Sequence, residues 1–358
     1  MEEQKEMSGM LEMVMQPAFY VKNGIITTVN QAARLLLIEA DTPVAPLLAH
    51  DAEEYQDFTG GCLYLTLELS GCPYHTCVTH FDDFDLFVID HGADQAELQA
   101  MALTALGLRE PLSDIMVVTD QLFPAGETPE DPLTQTRLSQ MYRRLNQLHR
   151  MVCNMTDAIQ YTSSTPPRMA CQDICAVISE IFDHAQVLVS GCGMRLTYTG
   201  PREAIVCNIA ADRLERAIYN ILSNSMKHSQ PGDVIEAKLT HRGSKLYLSI
   251  QDAGTGIPSQ MLGNVYNRFR RLPGMEQAPS GLGLGMVLVR GTAAAHGGTV
   301  LIDQPTGCGT RVTMSIAIQK SSNDFMRSPV LRVDYAGERD HGLLELSDVL
   351  PPEFYLKN

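Results

Sequence analysis

Residues 93–162 constrain the fold most, because helical periodicity runs through them and is interrupted once, by PAGETPEDP with its three prolines and one glycine. Apolar residues recur at spacings of three and four on both sides of this break: Leu98, Met101, Ala105, Leu108, Leu112 and Ile115 before it, and Leu138, Met141, Leu145, Leu148, Val152, Met155 and Ile159 after it. Two long helices joined by a turn bury little apolar surface alone. We therefore predict an antiparallel helical hairpin that pairs with a second copy as a dimeric four-helix bundle. Packing of both helices on their own chain is the alternative.

The preceding segment, residues 1–92, has the pattern of a small α/β domain. PAFYVKNGIITTVN places two β-rich runs around Asn23-Gly24, which predicts a tight hairpin, and the helical patch NQAARLLLIEA follows. Three further strand-like runs occupy residues 62–69, 75–80 and 84–90. Two strands, helical material and a three-stranded meander resemble a PAS sensor domain. A generic small α+β domain is the alternative.

Cysteine and histidine cluster once in this domain, where GCPYHTCVTH brings Cys72, His75, Cys77 and His80 close together. Zinc binding and burial in a sheet are the two interpretations. The strand-like alternation and the lack of a tight CxxC pair favour the sheet. The nine cysteines of the whole chain are scattered and odd in number, which suits a reducing compartment better than a disulfide framework.

Charge and hydropathy narrow the class of protein. A formal net charge of -15 argues against a broad nucleic-acid surface, which needs clustered lysine and arginine. No apolar run approaches the roughly 20 residues that span a bilayer, and MEEQKEMSGM lacks the apolar core of a secretory signal. We expect a cytoplasmic protein with no membrane span and no nucleic-acid partner.

After the linker SSTPPR, residues 169–320 alternate helical and β-rich runs, including RLTYTG, VIEAKLT, KLYLSIQD, GTVLID and TRVTMSIAIQ. This pattern predicts an α/β sandwich. Residues 321–358 carry no repeat, and we expect a partly ordered extension of unknown role. The fold class is thus α+β and multi-domain.

The segment NILSNSMKHS (220–229) has two asparagines four residues apart within a predicted helix. Because asparagine is a poor helix former, their presence needs an explanation other than helix propensity. We predict a helix capped by the D-x-x-E pattern of Asp212 and Glu215 and ended by Pro231-Gly232. One helical face is apolar, and the opposite face collects polar residues: Arg213, Arg216, Asn220, Asn224 and Lys227. Carboxamides at i and i+4 offer neutral oxygen ligands, which suits a site where Mg²⁺ and phosphate oxygens meet.

Three later motifs add to this helix. QDAGTGIP (251–258) puts an aspartate at a strand end before two glycines, and a carboxylate there can accept from the exocyclic amine of adenine. VYNRFRRLPG (265–274) supplies a phenylalanine and three arginines. SGLGLGMVLVRGTAAAHGG (280–298) places alternating glycines before a helix, where backbone N–H groups bind phosphates.

In this order the motifs closely resemble the N, G1, F and G2 boxes of the ATP-binding domain shared by sensor histidine kinases, DNA gyrase and heat-shock chaperones. The N box variant here, with Lys227-His228 after the second asparagine, looks most like that of the histidine kinase branch. The resemblance implies ATP and Mg²⁺ as cofactors, residues 270–280 as a mobile lid, and these binding residues: Asn220, Asn224, Lys227, His228, Asp252, Gly254, Gly256, Gly281, Gly283 and Gly285.

The resemblance also implies a role for each of these positions. Asn224 would coordinate Mg²⁺, with Asn220 and Lys227 near the phosphates and His228 beside the nucleotide. Asp252 would read adenine in a pocket shaped by Gly254 and Gly256. The glycines at 281, 283 and 285 would hold the phosphate tail.

The phosphoacceptor pattern of histidine kinases is altered. Their H-E-L-R-x-P-L corresponds here to LGLREPL, so Leu106 stands in place of the nucleophile and Gly107 in place of the assisting acid. Leucine has no nucleophilic atom, and phosphoryl transfer to this position is excluded. His149 on the second helix is the nearest substitute within the hairpin, and His91 lies farther away.

Three functions follow from this set of motifs. The first is a dimeric histidine kinase-type protein of a two-component system that transfers the γ-phosphoryl group of Mg-ATP to a protein side chain, with a response regulator or another signalling protein as partner. The second is a regulatory ATP-binding module, or pseudokinase, that signals by conformational change alone. The third, a gyrase-like ATPase, lacks the expected glutamate base in the N box.

Overall fold

The computed structural model describes residues 9–81, 83–90, 95–124, 131–162, 167–257, 284–305, 309–319 and 340–356, and for residues 95–99 and 159–162 it describes the backbone alone. The N-terminal strands are β1 (Ala18–Lys22), β2 (Ile25–Val29), β3 (Cys62–Leu69), β4 (Cys72–Phe81) and β5 (Phe84–Ile89). They form an antiparallel sheet in the order β2-β1-β5-β4-β3. Short helices α1 (Gln31–Leu35) and α2 (Ala52–Gln56) lie between β2 and β3.

The predicted hairpin at Asn23-Gly24 is confirmed. Both residues have positive φ, 52° and 75°, and β1 pairs with β2 around them. On one face of the sheet Phe19 stacks on Phe87 with 4.8 Å between ring centroids, inside a core that closes this small domain.

Two long helices follow, α3 (Gln95–Leu122) and α4 (Pro132–Thr162). The Tyr142 hydroxyl donates to the carbonyls of Thr119 and Phe123 at the end of α3, so the helices run antiparallel as predicted. Their shared core contains five buried side chains: Ala105, Leu112, Met116, Leu145 and Val152. A wide apolar face of α3 stays exposed in the single chain: Leu103, Leu106, Leu108, Ile115, Val117, Val118 and Leu122.

The predicted α/β sandwich of residues 169–320 is named here the nucleotide-type domain. It contains three helices, α5 (Ile174–Gly191), α6 (Ala211–His228) and α7 (Gly285–Ala295). Its main strands are β7 (Arg195–Thr199), β9 (Val234–Arg242), β10 (Lys245–Gln251), β11 (Val300–Asp303) and β12 (Arg311–Ala317). A separate two-stranded sheet is formed by β6 (Ala170–Asp173) and β8 (Val206–Ile209), of which β6 has no β-rich pattern in the sequence. The helices and strands share the largest apolar core of the described chain.

Helix α5 is, within the described part of the chain, the one helix long and apolar enough to cross a membrane by length and composition. Its inward side chains, among them Ile178, Phe182 and Val189, are buried in the core of the nucleotide-type domain. The apolar composition of α5 therefore has a local explanation in core packing.

The two β-rich domains share one ten-stranded sheet, because β3 pairs antiparallel with β11. The close approach requires glycine at position 61, where φ is +94° and a Cβ would overlap the Ile302 carbonyl oxygen. Across the junction Arg290 donates to Asp90 at 2.7 Å and lies over the Tyr64 ring at 4.9 Å. No pattern in the sequence predicts this junction.

Part of the C-terminal extension is ordered against the same core. Helix α8 (His341–Glu345) is followed by a 3₁₀ turn at Pro352–Tyr355. The apolar anchors of the segment are buried: Leu344, Leu346, Leu350 and Tyr355. Residues 340–356, named here the C-terminal segment, thus belong to the folded body of the protein.

Candidate nucleotide-binding site

Helix α6 carries the N box and is buried almost all round. Its predicted D-x-x-E cap is wrong: the N-cap is Ala210, which makes no side-chain cap, because β8 leads directly into the helix. Asp212 instead lies in the first turn, where its negative charge interacts favourably with the positive end of the helix dipole. The polar face is covered as well, since α4 and the C-terminal segment pack on it; Arg216 and Asn220 are each 2% exposed.

Asn220 links three elements. Its Oδ1 accepts from Arg150 Nη2 of α4 at 3.1 Å, and its Nδ2 donates to the Arg216 carbonyl at 2.8 Å. Gly285, the first residue of α7, approaches so closely that a Cβ there would lie 2.8 Å from Asn220 Oδ1. The N box and the last glycine of the G2 box are therefore in direct contact.

Asn224 and Lys227 lie one and two turns farther along α6. The half-buried Asn224 side chain makes no hydrogen bond within the described residues, so its amide oxygen is available as a ligand. Lys227 Nζ donates to Asp348 Oδ2 of the C-terminal segment at 3.0 Å.

Asp252 follows β10 and is buried. Its Oδ1 accepts from the backbone N–H groups of Gly254 and Thr310, each at 3.0 Å, which fixes the carboxylate at the strand end. In the described part of the chain no hydrogen bond uses Oδ2, so this oxygen can accept from an adenine amine.

The G1 glycines are required by close packing. A Cβ at Gly254 would overlap the His228 carbonyl oxygen, so the G1 loop rests directly on the end of α6. Gly256 has φ +74°, and a Cβ there would lie 2.6 Å from Gln304 Nε2. A larger residue at position 254 would push the loop away from the helix, and one at position 256 would strain the backbone and displace the Gln304 side chain.

His228 lies where these two motifs meet. Burial lowers the pKa of its imidazole, with nearby Asp252 opposing and Lys227 adding to the change. The neutral ring is the form suited to packing beside a nucleotide base. Gly281, Gly283, the Phe269 region and the proposed lid (270–280) lie outside the described residues.

Beside the N box is a buried ion network that sequence analysis misses. Arg150 Nε donates to Glu345 Oε2 at 3.2 Å, and Arg150 Nη1 donates to Asp348 Oδ2 at 2.9 Å. Arg216 Nε donates to Glu345 Oε1 at 2.9 Å, and Arg216 Nη1 pairs with Asp157 Oδ2. Arg216 lies on the predicted polar face of α6, whereas Arg150 and the two carboxylates of the extension fit no pattern in the sequence.

The residues considered as phosphoacceptor positions differ in how far they are exposed to solvent. Leu106 is 49% exposed on α3, so the altered position faces outward. His149 is 9% exposed on α4, and His91 lies outside the described residues. Over the described chain, no group of three or more metal-binding side chains forms; His80 instead contacts Asp85 at 2.7 Å and Cys77 contacts Cys62.

Comparison with known proteins identifies the type of the ATPase domain. Residues 209–320 match the model of histidine kinase-, DNA gyrase B- and HSP90-like ATPases. The sensor histidine kinase CusS of Escherichia coli O157:H7 is 24% identical over 207 residues, covering 54% of this chain and 40% of CusS. Residues 209–320 therefore form an ATPase domain of this type, and the chain is similar to sensor histidine kinases.

A second relative and a solved structure are also similar to this chain. The sensor protein SrrB of Staphylococcus aureus (strain N315) is 23% identical over 223 residues, covering 62% of this chain and 38% of SrrB. The chain thus spans about two fifths of the length of these curated relatives. Full-length ShkA, crystallised in complex with AMPPNP, aligns with a TM-score of 0.50 at 16% identity, covering 62% of this chain and 46% of ShkA. The predicted α+β fold with a histidine kinase-type ATPase domain is confirmed.

Proposed function

We propose that this chain binds Mg-ATP between α6, the loop after β10 and the start of α7, and signals as a histidine kinase-type protein of a two-component system. The observation that carries this proposal is the convergence of motifs distant in sequence. Gly254 rests on the end of α6 at His228, and Gly285 rests on Asn220 of the same helix. The two contacts bring the base-binding and phosphate-binding motifs to one helix.

The residues around this helix fit Mg-ATP. Asn224 offers a single neutral oxygen, which suits a Mg²⁺ ion that takes its other ligands from phosphates and water. The bound ion would neutralise phosphate charge. Lys227 would add a positive charge near the phosphates, Asp252 Oδ2 would accept from the adenine amine, and the backbone at Gly281, Gly283 and Gly285 would hold the phosphate tail.

The remaining domains would supply input and assembly. The N-terminal sheet, as a PAS-like sensor domain, is joined to the nucleotide-type domain through β3 and β11. The exposed apolar face of α3 supports a homodimer in which a second hairpin covers it. We place the protein in the cytoplasm, without a membrane span or nucleic-acid partner, acting on a response regulator or another signalling protein.

Two hypotheses remain for the transfer step. In the first, the γ-phosphoryl group passes to a protein side chain other than residue 106, in this chain or a partner. In the second, the protein is a pseudokinase whose nucleotide changes the position of the hairpin. Leu106 and the burial of His149 favour the second, because neither offers an accessible nucleophile.

One experiment tests both parts. Purified protein is incubated with γ-labelled ATP and Mg²⁺, and bound nucleotide and covalent label are measured separately. Nucleotide binding that is lost in Asp252→Ala supports the pocket. Acid-labile label that disappears in His149→Ala would establish transfer to that histidine, and binding without label would establish the pseudokinase.

A further inference from the structure

The C-terminal segment places two carboxylates on the cations that surround the N box. Asp348 Oδ2 accepts from Lys227 Nζ at 3.0 Å and from Arg150 Nη1 at 2.9 Å. Glu345, which is fully buried, bridges Arg150 and Arg216. The segment is therefore held against α6 by charge as well as by its apolar anchors.

Lys227 is the residue that the proposed function assigns to the phosphates. An ammonium group is a compact point charge that pairs with a carboxylate or a phosphate oxygen by the same charge-assisted hydrogen bond. Asp348 therefore makes the contact that a phosphate oxygen of ATP would make. A triphosphate approaching Lys227 competes with this carboxylate.

We propose that the C-terminal segment is an internal ligand of the phosphate side of the nucleotide site, with Asp348 as the competing anion. The inference rests on the proposed function. Mg-ATP displaces Asp348 from Lys227, and the segment lowers nucleotide affinity until it is displaced. The segment is thus an autoinhibitory element encoded in the same chain.

The same contacts connect nucleotide binding to the hairpin. Arg143 and Gln147 of α4 donate to the Ser347 carbonyl, at 3.2 and 2.9 Å, and Arg143 also donates to the Asp348 carbonyl. Arg150 of the same helix reaches Asn220 in the N box. Displacement of Asp348 removes one of the ties between α4 and α6, so the hairpin is loosened when nucleotide binds.

The alternative explanation is that the C-terminal segment only stabilises the fold. The autoinhibitory and the structural explanation make opposite predictions for the ATP affinity of Asp348→Asn. The apolar anchors and Glu345 keep the segment attached when only the Asp348 charge is removed. An internal competitor that loses its charge releases Lys227 for the phosphates and raises affinity. If the segment only stabilises the fold, loss of this contact leaves the affinity for Mg-ATP unchanged or lowers it.

The test measures the Kd of Mg-ATP by titration calorimetry for the wild-type chain, Asp348→Asn and Asp340→Asn. We expect Asp348→Asn to bind about tenfold more tightly, the effect of removing one charge-assisted hydrogen bond from the competing state. Asp340→Asn is the matched control, because Asp340 pairs with His184 and caps α8, and asparagine caps equally well. It should bind like the wild type.

Hydrogen exchange of the full chain gives an independent readout. We expect Mg-ATP to speed exchange of the amides of residues 343–350 in the wild type. Equal or weaker affinity in Asp348→Asn, or slower exchange of these amides with Mg-ATP, would overturn the inference and leave the nucleotide site standing. A wild-type chain and variants that all fail to bind Mg-ATP would overturn the proposed function as well.

Discussion

A buried lysine adds ionic contacts to the junction between the N-terminal sheet and the nucleotide-type domain, and Lys245→Met should weaken this junction. Lys245 Nζ donates to Glu54 Oε1 at 2.5 Å and to the His50 carbonyl at 3.1 Å, and it lies 3.6 Å from Asp51 Oδ1. The variant keeps the apolar stem but leaves two neighbouring carboxylates, both nearly inaccessible, without their cation.

The expected loss is about 3 kcal/mol in the free energy of unfolding, the low end for removing one partner of a buried ion pair. It stays at the low end because Asp51 can take up a proton. Burial raises the pKa of the Asp51 carboxyl, Glu54 raises it further, and Lys245 and the Thr66 amide oppose the rise.

This pKa gives the loss a pH dependence with a definite sign. A carboxyl with a raised pKa binds its proton more tightly in the folded chain, so folding is favoured at low pH and the benefit is lost as pH rises through the raised pKa. Without Lys245 the rise is larger. The deficit of Lys245→Met should therefore be smaller at about pH 5 than at about pH 7.5.

The assay is urea unfolding at both pH values, with Lys238→Met as the control. Lys238 is exposed on β9 of the same sheet, so its replacement removes the same charge and should change stability by about 0.5 kcal/mol or less. Equal unfolding free energies for the two variants, or a Lys245→Met deficit that grows at low pH, would refute the reasoning.

Three further outcomes follow from the structure. Gly254→Ala should weaken ATP binding at least tenfold in a fluorescent-nucleotide titration, because its Cβ overlaps the His228 carbonyl oxygen, whereas Gly60→Ala meets no atom within 4 Å and should bind normally; equal affinities would contradict this. His228→Gln should flatten the pH dependence of the free energy of unfolding. Because the pKa of His228 is lowered in the folded chain, the stability that the neutral ring contributes is complete above the ordinary pKa of 6.5 and is lost as pH falls below it. An unchanged pH dependence in the variant would argue against burial of the ring. Val117→Glu should convert the proposed homodimer to a monomer in light scattering, and a dimer that persists would show that the exposed face of α3 is not the interface.

The sequence predicted the elements of this fold better than their assembly. Strands such as β3 and β10 followed from alternation of β-rich residues, and the helical hairpin followed from its apolar spacing. The pairing of β3 with β11 could not be predicted, because the alternation of a strand does not identify its neighbour. The glycine at position 61 gives the only local hint of that close approach, and glycine is common in turns.

The candidate site, too, could be predicted from the sequence only where a local pattern marks its residues. The asparagine and glycine motifs marked the pocket because few structural roles require them at those spacings. Arg150 and Asp348 gave no such signal, since charged residues on a helix or in a polar extension usually face solvent. Their burial comes from tertiary packing of α4 and the C-terminal segment on α6, which one sequence does not encode in any local pattern.

The central claim is that Asn224 holds the metal of a Mg-ATP complex, and the Mg²⁺ dependence of ATP affinity tests it most directly. ATP binding is measured by calorimetry with Mg²⁺ and with EDTA, for the wild type, Asn224→Ala and the control Asn208→Ala, which lies on β8 before α6 begins. We predict that Mg²⁺ tightens binding in the wild type and in Asn208→Ala, and that this gain disappears in Asn224→Ala. A full Mg²⁺ gain in Asn224→Ala, or a wild-type chain that does not bind ATP, would contradict the account.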